Sequence, residues 1–197
     1  MHAGKGLPSG IRCYRFAVVP RLETIRLNLV PLQMADAAEI QALFPDWEIV
    51  KYLNAAVPWP YPADGAETWC RDRALPDMER GDAWHWTLRL KTHAEQVIGV
   101  ISLMRSESDN RGFWIGRPWQ GRGLMSEAAD AVTDYWFNTL GFAVLRVPKA
   151  VANVRSRRIS ERSGMRVVKT AERDYVGGRF LAETWEITAK EWNARVP

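Results

Sequence analysis

The sequence predicts an α+β fold of the three-layer type, with a mixed, mostly antiparallel central sheet of about seven strands and helices on both faces. Three observations support this prediction. β-rich runs separated by short loops fill the middle of the chain, an amphipathic helix follows a pair of glycines, and a Gly-Gly pair interrupts a β-rich run near the C-terminus. With 197 residues, of which 47% are hydrophobic and 25% charged, the chain suits one domain with a full core.

The N-terminal part is predicted to be irregular before the first strand. Residues 1–20 contain several glycines and show no clean period, which indicates an arm ahead of a single domain at 21–197. A strand is expected at about 22–30. Segment 45–82 is predicted to form short helices and a loop, with breaks at Pro58, Pro60, Pro62 and Pro76. Its aromatic residues suit either core packing or the wall of a substrate cleft, and they are Trp59, Tyr61 and Trp69.

The middle of the chain reads as consecutive strands joined by hairpin loops. β-rich composition predicts strands at 83–91, 96–104 and 112–116, with loops at 92–95 and 105–110.

The C-terminal half alternates helices and strands. Apolar residues recur at three- to four-residue steps from Leu124 to Leu140, and Gly141 supplies a stop. A strand follows at 143–147, and Asn153 is a natural N-cap for a second helix that ends at 163–165. The last hairpin lies at 175–179, where Gly177-Gly178 is expected to supply the positive φ angles of a tight primed turn.

The junction between the strand ending at Gly116 and the helix starting at Leu124 is the strongest functional signal. Gly121 and Gly123 lack the Cβ atoms that would hold an anion away from the backbone. The following amides belong to a first helical turn, where about four N–H groups lack intrahelical partners and the helix dipole is positive. This arrangement predicts a binding site for phosphate or pyrophosphate, with a plain strand-to-helix turn as the alternative.

Several other classes of site and protein are disfavoured. A dinucleotide fingerprint would need glycine where Ser126 stands, and a Walker loop would need Gly-Lys-Ser/Thr. Cys13 and Cys70 lack metal-binding spacing. A net charge of +4 with 23 acidic residues along the chain argues against nucleic-acid binding. No apolar run approaches the roughly 18 residues of a membrane span, and no signal-peptide core is present, so we expect a cytoplasmic protein.

The motifs together resemble those of the Gcn5-related N-acetyltransferase (GNAT) superfamily. The resemblance extends over about residues 22–192, and the nearest branch is similar to the bacterial Rim-type enzymes, which acetylate protein N-termini. Pro118 departs from the superfamily pattern, which often has Gln or Arg there. The matching segments are Glu23-Thr24-Ile25-Arg26-Leu27, Asp36-Ala37-Ala38-Glu39-Ile40, the glycine loop, Asn153-x-x-Ser156, Glu161-Arg162-Ser163-Gly164-Met165 and Trp185-Glu186-Ile187.

The resemblance implies acetyl-coenzyme A (acetyl-CoA) as acetyl donor. It implies that Asn153 contacts the pantetheine arm and that Ser156 lies near the sulfur. It also implies that the strand ending at Ile115 and Gly116 diverges from the strand at 144–148. The backbone N–H groups of the first of these strands would then bind the thioester carbonyl. The amides implied at the pyrophosphate are those of Gly121, Arg122, Gly123, Leu124, Met125 and Ser126. Arg158 lies with Arg155 and Arg162 on one helix face, which suits either solvent or the 3′-phosphate of coenzyme A.

Two residues are predicted to take part in catalysis. By resemblance, Ser156 donates a proton or hydrogen bond to the departing thiolate. Period two along 179–188 places Glu183 among apolar neighbours, where burial would suit it to proton transfer, although a salt-bridged Glu183 is an open alternative. His85 and Glu127 are further candidates, with structural roles as the alternatives for both.

The predicted function is transfer of the acetyl group of acetyl-CoA to a primary amine, expected to be a peptide or protein N-terminal amine. A small amine such as an antibiotic or metabolite, and a non-catalytic acyl-CoA-binding sensor, are the alternatives. A homodimer is expected because dimers are the commonest closed assembly.

Overall fold

The computed structural model describes residues 19–195, so the predicted N-terminal arm lies almost wholly outside the described residues. Its first sheet has five antiparallel strands in the order β1-β2-β3-β4-β5. The strands are β1 (Leu22–Glu23), β2 (Leu27–Pro31), β3 (Ala83–Leu90), β4 (Gly99–Met104) and β5 (Arg111–Ile115). The single strand predicted at 22–30 is two strands, because the chain reverses at residues 24–26 with a hydrogen bond from Thr24 N to Leu27 O.

Four α-helices lie between β2 and β3 in the chain. They are α1 (Ala37–Leu43), α2 (Trp47–Val50), α3 (Gly65–Trp69) and α4 (Leu75–Arg80). Pro58, Pro60 and Pro62 lie in a loop, as predicted. Pro76 does not break a helix, because it follows a π-helical turn at Cys70–Ala74 and occupies the start of α4, where its missing N–H is tolerated.

The second half of the chain forms α5 and a smaller sheet. Helix α5 (Leu124–Asp134) continues as a π-helical turn (Tyr135–Thr139), and Gly141 follows with a φ of 75°. The second sheet is antiparallel with the order β6-β8-β7. Its elements and the remaining helices are β6 (Val144–Ala150), α6 (Val154–Arg162), β7 (Arg166–Tyr175), β8 (Gly178–Thr188) and α7 (Ala189–Asn193).

The last hairpin has a different turn from the predicted primed one. Strand pairing of Tyr175 with Gly178 leaves Val176 and Gly177 as the loop, and only Gly178 has a positive φ, of 116°. The reason is tertiary, since the amides of Val176 and Gly177 donate to the carbonyls of Leu53 and Lys51. A Cβ on Gly177 would lie 2.7 Å from the Lys51 carbonyl oxygen, so glycine permits this close approach.

Helix α5 lies at the centre of the main core. Ala128, Ala129 and Val132 pack with Trp86 and Ile101 of the first sheet and with apolar side chains of the second. A second core lies on the opposite face of the first sheet, where Ile40 of α1 and Ala66 of α3 pack against Val100. The predicted α+β class with helices on both faces is confirmed, and the described strands are divided between two sheets of five and three strands rather than one of about seven.

The two sheets meet at a junction formed by Asn110 and Arg146. The Asn110 backbone N–H donates to the Arg146 carbonyl at 2.7 Å, and the Arg146 backbone N–H donates to the side-chain oxygen Oδ1 of Asn110 at 2.7 Å. Asn110 Nδ2 also donates to the carbonyl of Ser106. Beyond this junction no strand pairing joins β5 to β6 within the described residues, so the two strands leave a gap between them.

We predict that Asn110→Ala lowers the free energy of unfolding by about 1–3 kcal/mol, because the partly buried Arg146 backbone N–H loses its acceptor. Chemical denaturation with matched m-values measures this change. Asn138→Ala is the control, because Asn138 is exposed and its hydrogen bonds reach only Asp134 and Asn193; we expect a change within about 0.5 kcal/mol. Equal destabilisation by the two variants would contradict a special role for the junction.

Candidate active site

The glycine loop before α5 has the geometry of an anion site. Gly121 and Gly123 have φ angles of 74° and 76°, which L-residues with a side chain rarely adopt. The Glu127 amide donates to the Gly123 carbonyl, so the amides of residues 124–126 precede the first intrahelical bond. A Cβ on Gly121 would meet nothing within 4 Å, which leaves open space in front of these donors.

Glu127 fixes the loop to the first hairpin. Its carboxylate accepts hydrogen bonds from the Arg26 amide at 2.7 Å, from Arg26 Nε at 2.7 Å, and from the Thr24 hydroxyl. Arg26 also donates to the Arg122 carbonyl at 2.9 Å. Burial raises the pKa of Glu127, but the hydrogen bonds from Thr24 and Arg26 outweigh it and lower the pKa overall. Glu127 is therefore held as a carboxylate that anchors the loop.

A cavity of about 1160 Å³ begins at this loop and passes through the gap between β5 and β6. Most of the predicted donor-site residues line it: Ile115, Gly121, Gly123, Leu124, Met125, Ser126, Asn153, Ser156 and Arg158. Gly116 and Arg122 are not among its lining residues. The Gly116 amide donates to the Ile98 carbonyl at 2.9 Å, so it is already occupied.

Helix α6 brings Ser156 into the gap. Asn153 caps the helix, and its Oδ1 accepts from the Ser156 amide at 3.2 Å. The Ser156 hydroxyl in turn accepts a hydrogen bond from Lys149 Nζ at 2.6 Å. Lys149 was not singled out from the sequence. The period-two pattern contains the signal, because Leu145 and Val147 are buried core residues and Lys149 is the next inward position of β6.

Lys149 is only 5% exposed and lies in unusual surroundings. Its Nζ is 4.9 Å from the centroid of the Phe113 ring on β5. The pKa of Lys149 lies well below its usual value, mainly because burial disfavours the charged form and secondly because Arg111 is positively charged. The Asp109 carboxylate opposes this shift. Burial also raises the pKa of Asp109 to about 6 against the effects of Arg173 and Lys149.

Glu183 forms an ion pair with Arg157. The two N–O distances are 2.8 and 3.1 Å, and Glu183 is absent from the residues that line the cavity. The predicted apolar face of β8 is incomplete, because Leu181 is 51% exposed while Trp185 and Ile187 are buried. This arrangement is the salt-bridged Glu183 that the sequence left open as an alternative. Glu183 does not line the cavity, so no contact supports a catalytic role for it.

His85 lines the cavity on β3. Its Nδ1 lies 2.6 Å from the Ser102 hydroxyl, and its Nε2 has no hydrogen-bond partner among the described residues. Burial lowers the pKa of His85 to about 4. The imidazole is therefore neutral near pH 7 and a weak proton acceptor, since a base works best with a pKa near the working pH.

Aromatic and acidic side chains also line this cavity. Tyr61, Trp69 and Tyr175 line it, together with Asp109 and Asp174. Trp59, for which the sequence left core packing or the cleft wall open, is 41% exposed, does not line the cavity and packs against Trp47.

The described residues hold no group of three or more His, Cys, Asp or Glu side chains that could bind a metal ion. Within that same part of the chain, no helix is long and apolar enough to span a membrane.

Three known proteins are similar to this chain in sequence or in fold. The N-acetyltransferase p20 of Bacillus licheniformis, named as uncharacterized, is 27% identical over 124 residues, which cover 60% of this chain and 67% of that protein. RimL, a ribosomal L7/L12 α-N-protein acetyltransferase solved in complex with coenzyme A, superposes with a TM-score of 0.72 at 16% identity over 87% of this chain and 98% of its own. The ribosomal-protein-S5-alanine acetyltransferase from Vibrio fischeri superposes with a TM-score of 0.73 at 14% identity over 88% and 98% of the two chains.

These two structural similarities show a common fold. The family assignment comes from residues 26–166, more than half of the chain, which match the acetyltransferase (GNAT) domain model. The chain therefore belongs to the GNAT acetyltransferase family, whose acetyl donor is acetyl-CoA.

Proposed function

We propose that this protein transfers the acetyl group of acetyl-CoA directly to a peptide or protein N-terminal amine. The supporting observation is one cavity that is lined by the glycine loop, by β5 and β6, and by aromatic and acidic side chains outside the predicted donor site. A sensor that only binds acyl-CoA has no need of space beyond the thioester. An acetyltransferase needs that space for its acceptor.

The donor end of the cavity has positive character. The positive end of α5 and the amides after Gly121 would hold the pyrophosphate. Arg155 of α6 donates to Gln120 Oε1 at 2.7 Å and so connects α6 to the glycine loop. Arg158 and Arg162 lie on exposed surface beside it and line the same cavity, where they would contact the 3′-phosphate.

The acceptor end suits an amine. Carboxylates of Asp109 and Asp174 would attract an ammonium group, and the faces of Tyr61 and Trp69 would receive the side chain beside it. A peptide α-amine has a pKa of about 7.7–8.0, so it loses its proton near neutral pH with only modest help. The ribosomal substrates in the names of RimL and the Vibrio fischeri enzyme favour a protein N-terminus by analogy of fold.

The chemistry requires no covalent enzyme intermediate. The acceptor nitrogen would attack the thioester carbon, and donors placed around the carbonyl oxygen would stabilise the charge that develops there. Because Ile98 already accepts from the Gly116 amide, this donor would come from elsewhere in the cavity wall. The cytoplasmic location and the homodimer expected from the sequence stay predictions.

Thiol release with defined acceptors tests the proposed function. We expect acetyl-CoA to bind in isothermal titration, and N-terminal peptides to release coenzyme A thiol faster than polyamines or aminoglycosides at equal concentration. Faster release with the small amines would favour the alternative acceptor class. Binding without release for any amine would refute the enzyme and leave the sensor.

We predict that Gly121→Glu weakens acetyl-CoA binding by about 100-fold or more, because a carboxylate would occupy the anion site and a side chain strains the positive φ. Gly81→Glu is the matched control, since Gly81 has a φ of 72°, a Cβ there would likewise meet nothing within 4 Å, and it lies away from the cavity. Gly123 is less suitable for this test, because a Cβ there would lie 3.4 Å from Arg26. Normal affinity in folded Gly121→Glu would overturn the pyrophosphate assignment.

We predict that Arg158→Ala weakens acetyl-CoA binding by about tenfold and leaves the affinity for 3′-dephospho-acetyl-CoA unchanged, because one charge-assisted contact is lost. Titration of both ligands into both proteins measures the difference. Arg179→Ala, on the exposed part of β8 and outside the cavity lining, is the control. Equal losses for the two ligands would show that Arg158 does not contact the 3′-phosphate.

A further inference from the structure

Lys149 is a buried lysine without a carboxylate partner. It makes no ion pair among the described residues, and its one hydrogen bond in that part of the chain goes to the Ser156 hydroxyl, at 2.6 Å. Lysine is almost never fully buried unless it is paired, because the charged form loses its hydration. Leu145 and Val147 fill the preceding inward positions of β6, so another apolar side chain would serve packing better than an amine.

Lys149 lies in the gap through which the acetyl group of a bound donor would pass. Its Nζ lies 4.9 Å from the Phe113 ring centroid, across the gap between β6 and β5, and both Lys149 and Ser156 line the cavity. A donor that enters at the glycine loop must pass its thioester end through this gap to reach the acidic region. The Lys149–Ser156 pair is therefore a hydrogen-bonded polar pair in the wall of that path.

The electrostatic surroundings favour an uncharged lysine. Arg111 on β5 is 3% exposed, and two cations buried close together repel each other. Glu183 of β8 is the strand partner of Lys149 of β6. Its carboxylate already forms an ion pair with Arg157. The other titratable or charged groups that line the cavity around this region are Asp109, Arg173, Asp174, Tyr175, Arg155, Arg158, Arg162 and His85. Of these, Asp109 is the one that acts on Lys149 in favour of the charged form.

We propose that Lys149 and Ser156 form a proton relay that carries the proton lost by the acceptor amine to the departing coenzyme A thiolate. This inference rests on the proposed function. The acceptor nitrogen bonds to the thioester carbon, and the C–S bond breaks. Lys149 Nζ takes the proton from the nitrogen, Ser156 Oγ gives its own proton to the sulfur, and Lys149 restores the Ser156 proton. The products are an amide and a free thiol, with both side chains in their starting states.

Substitutions at Lys149 separate proton transfer from charge and from packing. Lys149→Met removes the amine and keeps the volume, and Lys149→Arg keeps a cation that does not give up its proton. We expect kcat to fall by about 100-fold or more in both variants, with the Kd for acetyl-CoA changed less than about threefold. Lys169→Met, on the exposed part of β7, is the control and should match wild type. Near-normal kcat in either Lys149 variant overturns the relay.

The pairing with Ser156 is tested by a double variant. If the two side chains act in one relay, Lys149→Met with Ser156→Ala should be no slower than the slower single variant. Multiplied losses in the double variant would show independent roles and overturn the relay.

The pH profile gives a readout that a structural role would not move. Lys149 must be neutral to accept a proton, so wild-type kcat/KM should carry two acid limbs, one set by the pKa of the acceptor amine and one set by the lowered pKa of Lys149. The Lys149 limb should stay in place for acceptors of different amine pKa, persist in Asp109→Asn, and disappear in Lys149→Met. A profile whose limbs all follow the acceptor pKa, or whose acceptor-independent limb vanishes in Asp109→Asn, overturns the assignment, and this wild-type comparison decides even if Lys149→Met does not fold.

The outcomes also separate the two proposals. Wild-type protein that releases no thiol with any amine refutes the proposed function, and the relay with it. Wild-type turnover that survives in Lys149→Arg refutes the relay alone.

Discussion

The join between the two sheets at Asn110 and Arg146 is the constraint on which the site depends. One backbone–backbone hydrogen bond and one from the Arg146 backbone N–H to the Asn110 side chain hold the strands together at one end, and the absence of strand pairing beyond them leaves the gap that the cavity occupies. Helix α5 packs behind both sheets, so its N-terminus is fixed at the mouth of that gap. The hydrogen bonds from Arg26 to Glu127 then hold the glycine loop against the first sheet. The glycine loop and the gap between β5 and β6 are thus held in line with each other.

Buried positive charge is the second property of the gap. Arg111 donates to the Thr133 hydroxyl and to the sulfur of Met165, and the described residues give it no carboxylate within ion-pair distance. Burial lowers the pKa of Arg111 to about 10, which still leaves it charged at neutral pH. A fixed cation in a low-dielectric site favours negative charge nearby. It also makes a second charge on Lys149 costly, so one side chain keeps its charge and the other is available for proton exchange.

Local signals in the sequence predicted the elements with local causes. The glycine loop at Gly121 and Gly123, the start of α5 and the Asn153 cap follow from the residues themselves. Features set by tertiary contacts were not predictable in this way. The hairpin turn depends on carbonyls of residues 51 and 53, and the Glu183–Arg157 pair joins a strand to a helix. Lys149 was missed because the predicted strand ended at residue 147, whereas β6 continues to Ala150 and carries the inward period of Leu145 and Val147 on to Lys149.

The cap at Asn153 connects the local and tertiary parts of the site. Asn153 binds the Ser156 amide, so Ser156 is held in the first turn of α6 through its backbone and its hydroxyl is left for another partner. Strand β6 supplies that partner, because its inward period places Lys149 one step beyond Val147 at the end of the buried face. The structural role of Ser156 in the capped turn and its proposed chemical role are therefore compatible. The Asn153 cap holds the Ser156 hydroxyl in position, and the buried Lys149 amine is the group with which that hydroxyl can exchange a proton.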